Sequence, residues 1–239
     1  MNAPTHIDAN KELRGYINSE KAATLPRFFK TGKGEYGEGD KFLGIVVPNI
    51  RKVAKQFKDL DLEGVKSLLH SEWHEERMLA LLILVERFSK YPNERKNIFD
   101  FYLSSTRYIN NWDLVDLSAS DILGRYIYLH RELTPTIMDL SRSKRLFDRR
   151  ISVISTFYFI KKGEAEPALY VISELLSDQQ DLIQKASGWM LREIWSRVDQ
   201  AIVESFIKIY HSQIPRTTLR YATEKFPDAK RRQFLRGEF

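Results

Sequence analysis

The segment Asn110-Asn-Trp-Asp-Leu-Val-Asp116 holds the residue types best suited to chemistry. Trp112 and Asp116 stand four apart, so on a helix they share a face. An indole face attracts positive charge, and a carboxylate beside it opposes that charge directly. The pair therefore suits a cationic species held against the ring. The same residues also fit a bland role. Asp113 and Asp116 in a first helical turn would simply favour the positive end of the helix dipole, and Trp112 could be core.

Other catalytic patterns are missing. His70 and His74 are spaced i, i+4, but no third metal ligand is evident, and His74 is followed by Glu-Glu-Arg-Met rather than completing H-E-x-x-H. No serine triad or carboxylate pair stands out. Thr31 to Asp40, TGKGEYGEGD, must be a loop. Its G-x-G-x-x-G at Gly32, Gly34 and Gly37 lacks the preceding strand and βαβ unit of a dinucleotide site. It also lacks the Gly-Lys-Ser/Thr ending of a P-loop. Neither a metal nor a cofactor is implied.

The elements that must position Trp112 and Asp116 are helices. Ala168, Leu169, Val171, Ile172, Leu175 and Leu176 fall on one helical face, and Met78 to Phe88 is apolar nearly all round. No long period-2 alternation appears, so about a dozen helices and no sheet are expected. Asn93, Asn111, Asp148, Asp181 and Pro215 each stand near a helix start. Aligning the helices that follow puts Arg77, Asp113, Arg150, Lys185 and Thr218 at one position, with spacings of 36, 37, 35 and 33 residues. That period fits stacked helix pairs of the HEAT kind, and the TPR signature residues are absent. The expected fold is an all-α, HEAT-like solenoid formed by residues 1–239 as a single domain, its concave groove lined by the second helix of each pair. Arg77, Arg149, Arg150 and Lys185 would then form a positive ladder along one edge of the groove. Taken singly, each is better explained as a solvated charge, and only their shared repeat position favours the ladder. Trp189, preceded by helix-weakening Gly188, would join Trp112, Asp116 and Arg150 in the groove.

Composition bounds the class. With 38 Lys and Arg against 32 Asp and Glu, and a pI near 9.3, the charge suits a nucleic-acid partner. No cysteine is present, which excludes disulfides, thiolate zinc sites and cysteine nucleophiles. Met1 to Asn18 is polar and no apolar run approaches a membrane span, so a cytoplasmic protein is expected, nucleoid-associated if bacterial.

Several stretches together resemble the AlkD family of DNA alkylation repair proteins. They are FFKTGKGEYGEGDKFLGIVVPNIRKVAK (from Phe28), HEERMLALLILV (from His74), INNWDLVDLSA (from Ile109), FDRRISVISTFYFIKKG (from Phe147), LIQKASGWMLRE (from Leu182) and PRTTLRYATEKFP (from Pro215). The resemblance spans Phe28 to Pro227. It implies a HEAT-like fold and excision of cationic N3- or N7-alkylated purines from duplex DNA. Asp116 matches the family's catalytic aspartate, Trp112 and Trp189 its groove tryptophans, and Arg150 its phosphate-contacting arginine. Two positions depart: Asn111 stands where a tryptophan can precede Trp112, and Phe28 where a tyrosine can stand, losing a hydroxyl.

The implied chemistry agrees with the residues. Breaking an N-glycosidic bond builds positive charge on the sugar. A cationic alkylpurine leaves as a neutral base, so no general acid is required, unlike glycoside hydrolysis with its two carboxylates. One carboxylate suffices, to stabilise the oxocarbenium ion or orient water. The expected site is catalytic Asp116 with Trp112 and Trp189. The expected DNA contacts are Arg150, Arg149, Lys185, Arg192, Arg51, Arg77 and Phe28. The expected partner is double-stranded DNA carrying alkylated bases, bound by a monomer without metal or membrane. Two other readings compete: a non-catalytic DNA-structure-binding protein on the same scaffold, and a protein-interaction solenoid.

Overall fold

A computed structural model describes residues 4–239. Among them there is no strand, only one isolated bridge between Lys41 and Trp73. The chain divides into two compact units, Met1–Ser118 and Ala119–Phe239.

The N-terminal unit holds α1 (His6–Arg14), α2 (Ser19–Phe28), α3 (Val47–Gln56), α4 (Leu62–Leu69), α5 (His74–Lys90), α6 (Arg95–Ser104) and α7 (Trp112–Asp116). Local chemistry sets the starts. Thr5 forms a reciprocal capping box with Asp8, and Asn18 and Asp61 accept from the amides of Lys21 and Gly64. The centre is α5, on which α3 and α4 pack. Leu79, Leu81, Ile83 and Leu84 are fully buried, each contributing roughly 1.5–3 kcal/mol. Glu75 is buried near the start of α5 and accepts from the amides of Leu43, Gly44 and Ile45 at 2.9, 2.8 and 3.2 Å. This carboxylate folds the connection before α3 onto α5. Gly44 is required there: its φ is +78°, and a Cβ would lie 2.0 Å from the Asn18 carbonyl oxygen.

The C-terminal unit begins with a π-turn, Ser120–Gly124, followed by α8 (Arg125–Leu129), α9 (Pro135–Ser141), α10 (Leu146–Ser155), α11 (Phe157–Lys161), α12 (Glu166–Glu174), α13 (Asp181–Arg197), α14 (Gln200–Tyr210), α15 (Arg216–Ala222) and α16 (Asp228–Arg236). Here α13 is central, contacting α10, α14 and α15. The described helices outnumber the expected dozen because long helices are interrupted. One break separates α10 from α11, and turns and the π-turn interrupt the run from Trp112 to Leu129.

The repeat is visible in its turns. Ser71 Oγ accepts from the Trp73 amide and donates to Glu76, while Arg77 donates to the Ser71 carbonyl. Ser143 Oγ likewise accepts from the Arg145 amide and donates to Asp148, while Arg149 donates to the Ser143 carbonyl. Asp178 accepts from the Gln180 amide, and Gln184 donates to the Asp178 carbonyl. The equivalent positions are therefore Arg77, Arg149 and Gln184. The sequence alignment with Arg150 and Lys185 was one residue out of register in the second unit.

Candidate active site

In the N-terminal unit, Trp112 opens α7 and Asp116 closes it, both half-buried. Trp112 stacks on Phe29 with ring centroids 5.6 Å apart and 24° between planes. Phe29 stacks in turn on Phe42 at 4.9 Å. Phe28, 62% exposed, meets the Trp112 ring edge-on at 5.9 Å. The indole thus has an apolar backing and a solvent-facing aromatic neighbour on the same unit. Asp116 lies five residues into a helical run that continues, interrupted by turns and the π-turn, to Leu129. Asp113, nearer the start of that run, is the better placed of the two for a dipole role.

Beneath Trp112 runs a buried polar chain that the sequence reading missed. His74 Nε2 lies 2.8 Å from Asp113 Oδ2, and its Nδ1 lies 3.2 Å from Asp40 Oδ2. Asp40 also accepts from Arg77 Nη2 at 2.6 Å, Asn110 Nδ2 at 2.9 Å and Asn111 Nδ2 at 3.2 Å. His74 is 1% exposed. Burial alone would push the imidazolium toward its neutral form, but the bonds to Asp113 and Asp40 outweigh it and hold the pKa at about 9. Burial would likewise raise the Asp40 carboxyl, yet His74 and Arg77 bring it below the usual range. The sequence contained a weak signal in the His74–Arg77 spacing within a first turn. Asp40 and Asp113, however, lie 34 and 39 residues away from His74.

The glycine loop delivers Asp40. Its amides are already occupied: Gly32 and Gly34 donate to Glu35 and Glu38 at 2.9 and 2.8 Å. Those internal bonds suit a folded connector and leave fewer amides for a phosphate. His70, paired with His74 in the sequence, stacks instead on Tyr108 at 3.8 Å. A cavity of about 350 Å³ borders this chain, with Phe29, Phe42, Met78, His74 and Asp113 in its wall.

The expected basic ladder is only partly a surface feature. Arg77 is 4% exposed, fixed by Asp40 and the Ser71 carbonyl. It belongs to the core of its turn rather than to a DNA edge, because an ion pair with a buried carboxylate keeps its charge inside. In the C-terminal unit Arg149 spans Asp178 at 2.7 Å and the carbonyls of Ser143 and Lys144. Arg150 is 5% exposed and donates to the Leu182 carbonyl. Lys185, half-buried, pairs with Asp181, and Arg192 with Glu224. Arg51, in the N-terminal unit, is exposed on α3.

Trp189, half-buried on α13, donates its indole N–H to Glu193 at 3.1 Å. Glu193 also accepts from Arg197 at 2.6 Å, and the Trp189 ring meets Phe157 at 5.7 Å. Burial pushes the Glu193 carboxyl up, but the Arg197 and Trp189 bonds outweigh it and bring it down. Each predicted tryptophan is thus held by its own unit: Trp112 by stacking, Trp189 by a charged hydrogen bond.

The all-α fold has known counterparts. The family model described as DNA alkylation repair enzyme matches residues 9–226. The chain belongs to that family. A solved structure described as a predicted DNA alkylation repair enzyme from Enterococcus faecalis has a TM-score of 0.70 at 19% identity, covering 89% of this chain and 97% of its own. At that identity the likeness speaks for the fold. Comparison with curated protein sequences gave no match.

Proposed function

We propose that this protein is a DNA glycosylase that excises positively charged N3- or N7-alkylated purines from duplex DNA. The observation that carries the reading is the presence of Trp112 and Asp116 on one short helix, both partly accessible, with the indole backed by Phe29 and flanked by exposed Phe28. The aromatic faces hold the cationic nucleotide. The Asp116 carboxylate stabilises the sugar's developing charge, or orients the attacking water, while the alkylated base departs neutral. Trp189 supplies a second aromatic contact to the DNA, and Arg150, Arg149, Lys185, Arg192 and Arg51 contribute positive charge toward phosphates. No cofactor takes part, and the protein acts as a monomer.

Asp116→Asn tests the assignment because it keeps size and polarity and removes only the charge. Single-turnover release of 7-methylguanine from duplex DNA should slow by about 10²–10³-fold, as for other deleted charge stabilisers, with DNA affinity and melting temperature nearly unchanged. Near-wild-type excision by a stable variant would remove Asp116 from its role. Wild-type protein that binds DNA but releases no alkylated purine would instead be a non-catalytic DNA-structure binder.

A further inference from the structure

The Asp40–His74–Asp113 chain has no part in the chemistry just described, yet it is built with unusual completeness. Both ring nitrogens of one imidazole face carboxylates, at 3.2 and 2.8 Å. An ionised carboxylate can only accept, so both nitrogens must donate, which makes the ring an imidazolium. The remaining bonds to Asp40 come from Arg77 and from Asn110 and Asn111, the two residues that lead into α7. The Asn111 side chain also accepts from the Trp112 amide at 2.9 Å, and Asp113 accepts from the Leu114 amide at 2.8 Å. The entry to α7 is therefore tied to α5 through this ring. The Phe29 ring, on which Trp112 stacks, lies 5.0 Å from the same imidazole.

We propose that His74 is a positioning residue for excision: as a cation bonded to both Asp40 and Asp113, it fixes the orientation of the helix that presents Trp112 and Asp116. Its catalytic consequence rests on the glycosylase reading, whereas the positioning itself can be read without DNA. The charged groups facing the ring are few. Asp40 approaches from the glycine loop, Arg77 from α5 and Asp113 from α7, while Lys21 of α2 and Glu75 of α5 border the adjoining cavity. Arg77 opposes the imidazolium charge and the two bonded aspartates favour it. Deprotonation would leave one ring nitrogen facing a carboxylate with no proton between them, and would release either α7 or the loop.

The full chain labelled with 5-fluorotryptophan gives a direct readout, the Trp112 fluorine resonance being assigned by Trp112→Phe. Without DNA, the wild-type resonance should move in one step near pH 9. In Asp113→Asn it should already be displaced at neutral pH, with the step moved to lower pH, and in His74→Gln the step should vanish. Should His74→Gln fail to fold, Asp113→Asn carries the test, since it keeps the His74–Asp40 pair. A wild-type resonance that is flat across this range, or an unchanged step in either variant, would overturn the proposal. Single-turnover excision by Asp113→Asn should fall by about 10–100-fold, the penalty for misplacing a reacting group, with duplex affinity within about twofold. A wild-type rate despite a displaced resonance would also overturn it. If wild-type protein excises nothing, the glycosylase reading fails while the fluorine titration still decides the positioning.

Discussion

Arg77 shows how burial changes the meaning of a charged side chain. In the sequence it is one rung of a basic ladder. In the fold its guanidinium joins Asp40 to the Ser71 carbonyl, 4% exposed. Arg77→Met would leave the Asp40 carboxylate buried with one charged partner fewer, which costs on the order of 3–5 kcal/mol. Chemical denaturation should register that loss, while the folded fraction binds duplex DNA as the parent does. Weakened DNA binding at full stability would return Arg77 to the surface role. Arg150 poses the opposite question. If it meets a phosphate, Arg150→Met should reduce the slope of log affinity against log salt by about 0.9. A lowered melting temperature with an unchanged slope would mark it as a packing residue of α10 alone.

Helix α13 carries the clearest prediction at the scale of an element. Glycine in a helix interior usually weakens it, and Gly→Ala should stabilise by about 1 kcal/mol. Gly188 behaves otherwise because α15 lies against it. An added Cβ would stand 2.5 Å from Tyr221 Cβ and 2.6 Å from the Thr218 carbonyl oxygen. Gly188→Ala should therefore destabilise by about 1–3 kcal/mol, the range for overpacking, measured by urea unfolding followed through the C-terminal unit. A stabilised variant would mean the two helices separate freely. The helical class and the period were legible in the sequence, because caps and apolar spacing are local signals. The register was not. Arg149 and Arg150 are adjacent and chemically identical, and Gln184 and Lys185 are adjacent long polar side chains that can each donate. Only the bond to the Ser143 or Asp178 carbonyl distinguishes them. The pairing of His74 is illegible for a related reason: its partners Asp40 and Asp113 lie on a loop and a helix that no spacing rule connects to it.

For the molecule as a whole, the buried chain sets a dependence on pH. The His74 pKa rises from 6.5 to about 9 on folding. Its contribution is fully present below pH 6.5 and is lost as pH rises through about 9, reaching about 3 kcal/mol when complete. Asp40 works in the other direction: its pKa is depressed, so its contribution is present above the unfolded carboxylate range and fades as pH falls through the lowered value. Stability of the N-terminal unit should therefore hold across neutral pH and decline on both sides. Thermal melts over pH 6–10 should show the alkaline decline in wild type and a weaker one in Asp113→Asn. A melting temperature indifferent to pH across that range would show that folding leaves the His74 pKa unshifted.

The stapled turns bear on how this chain reaches its fold. Each staple closes within six residues, from Ser71 to Arg77 and again from Ser143 to Arg149. The loop that must be closed is short, so little chain entropy is lost before the bonds form. Each corner between helices can take shape ahead of the contacts that span a repeat, such as Arg149 to Asp178, 29 residues apart. Local corners of this kind lower the contact order of the search and favour rapid folding, with helix pairs docking onto angles already set.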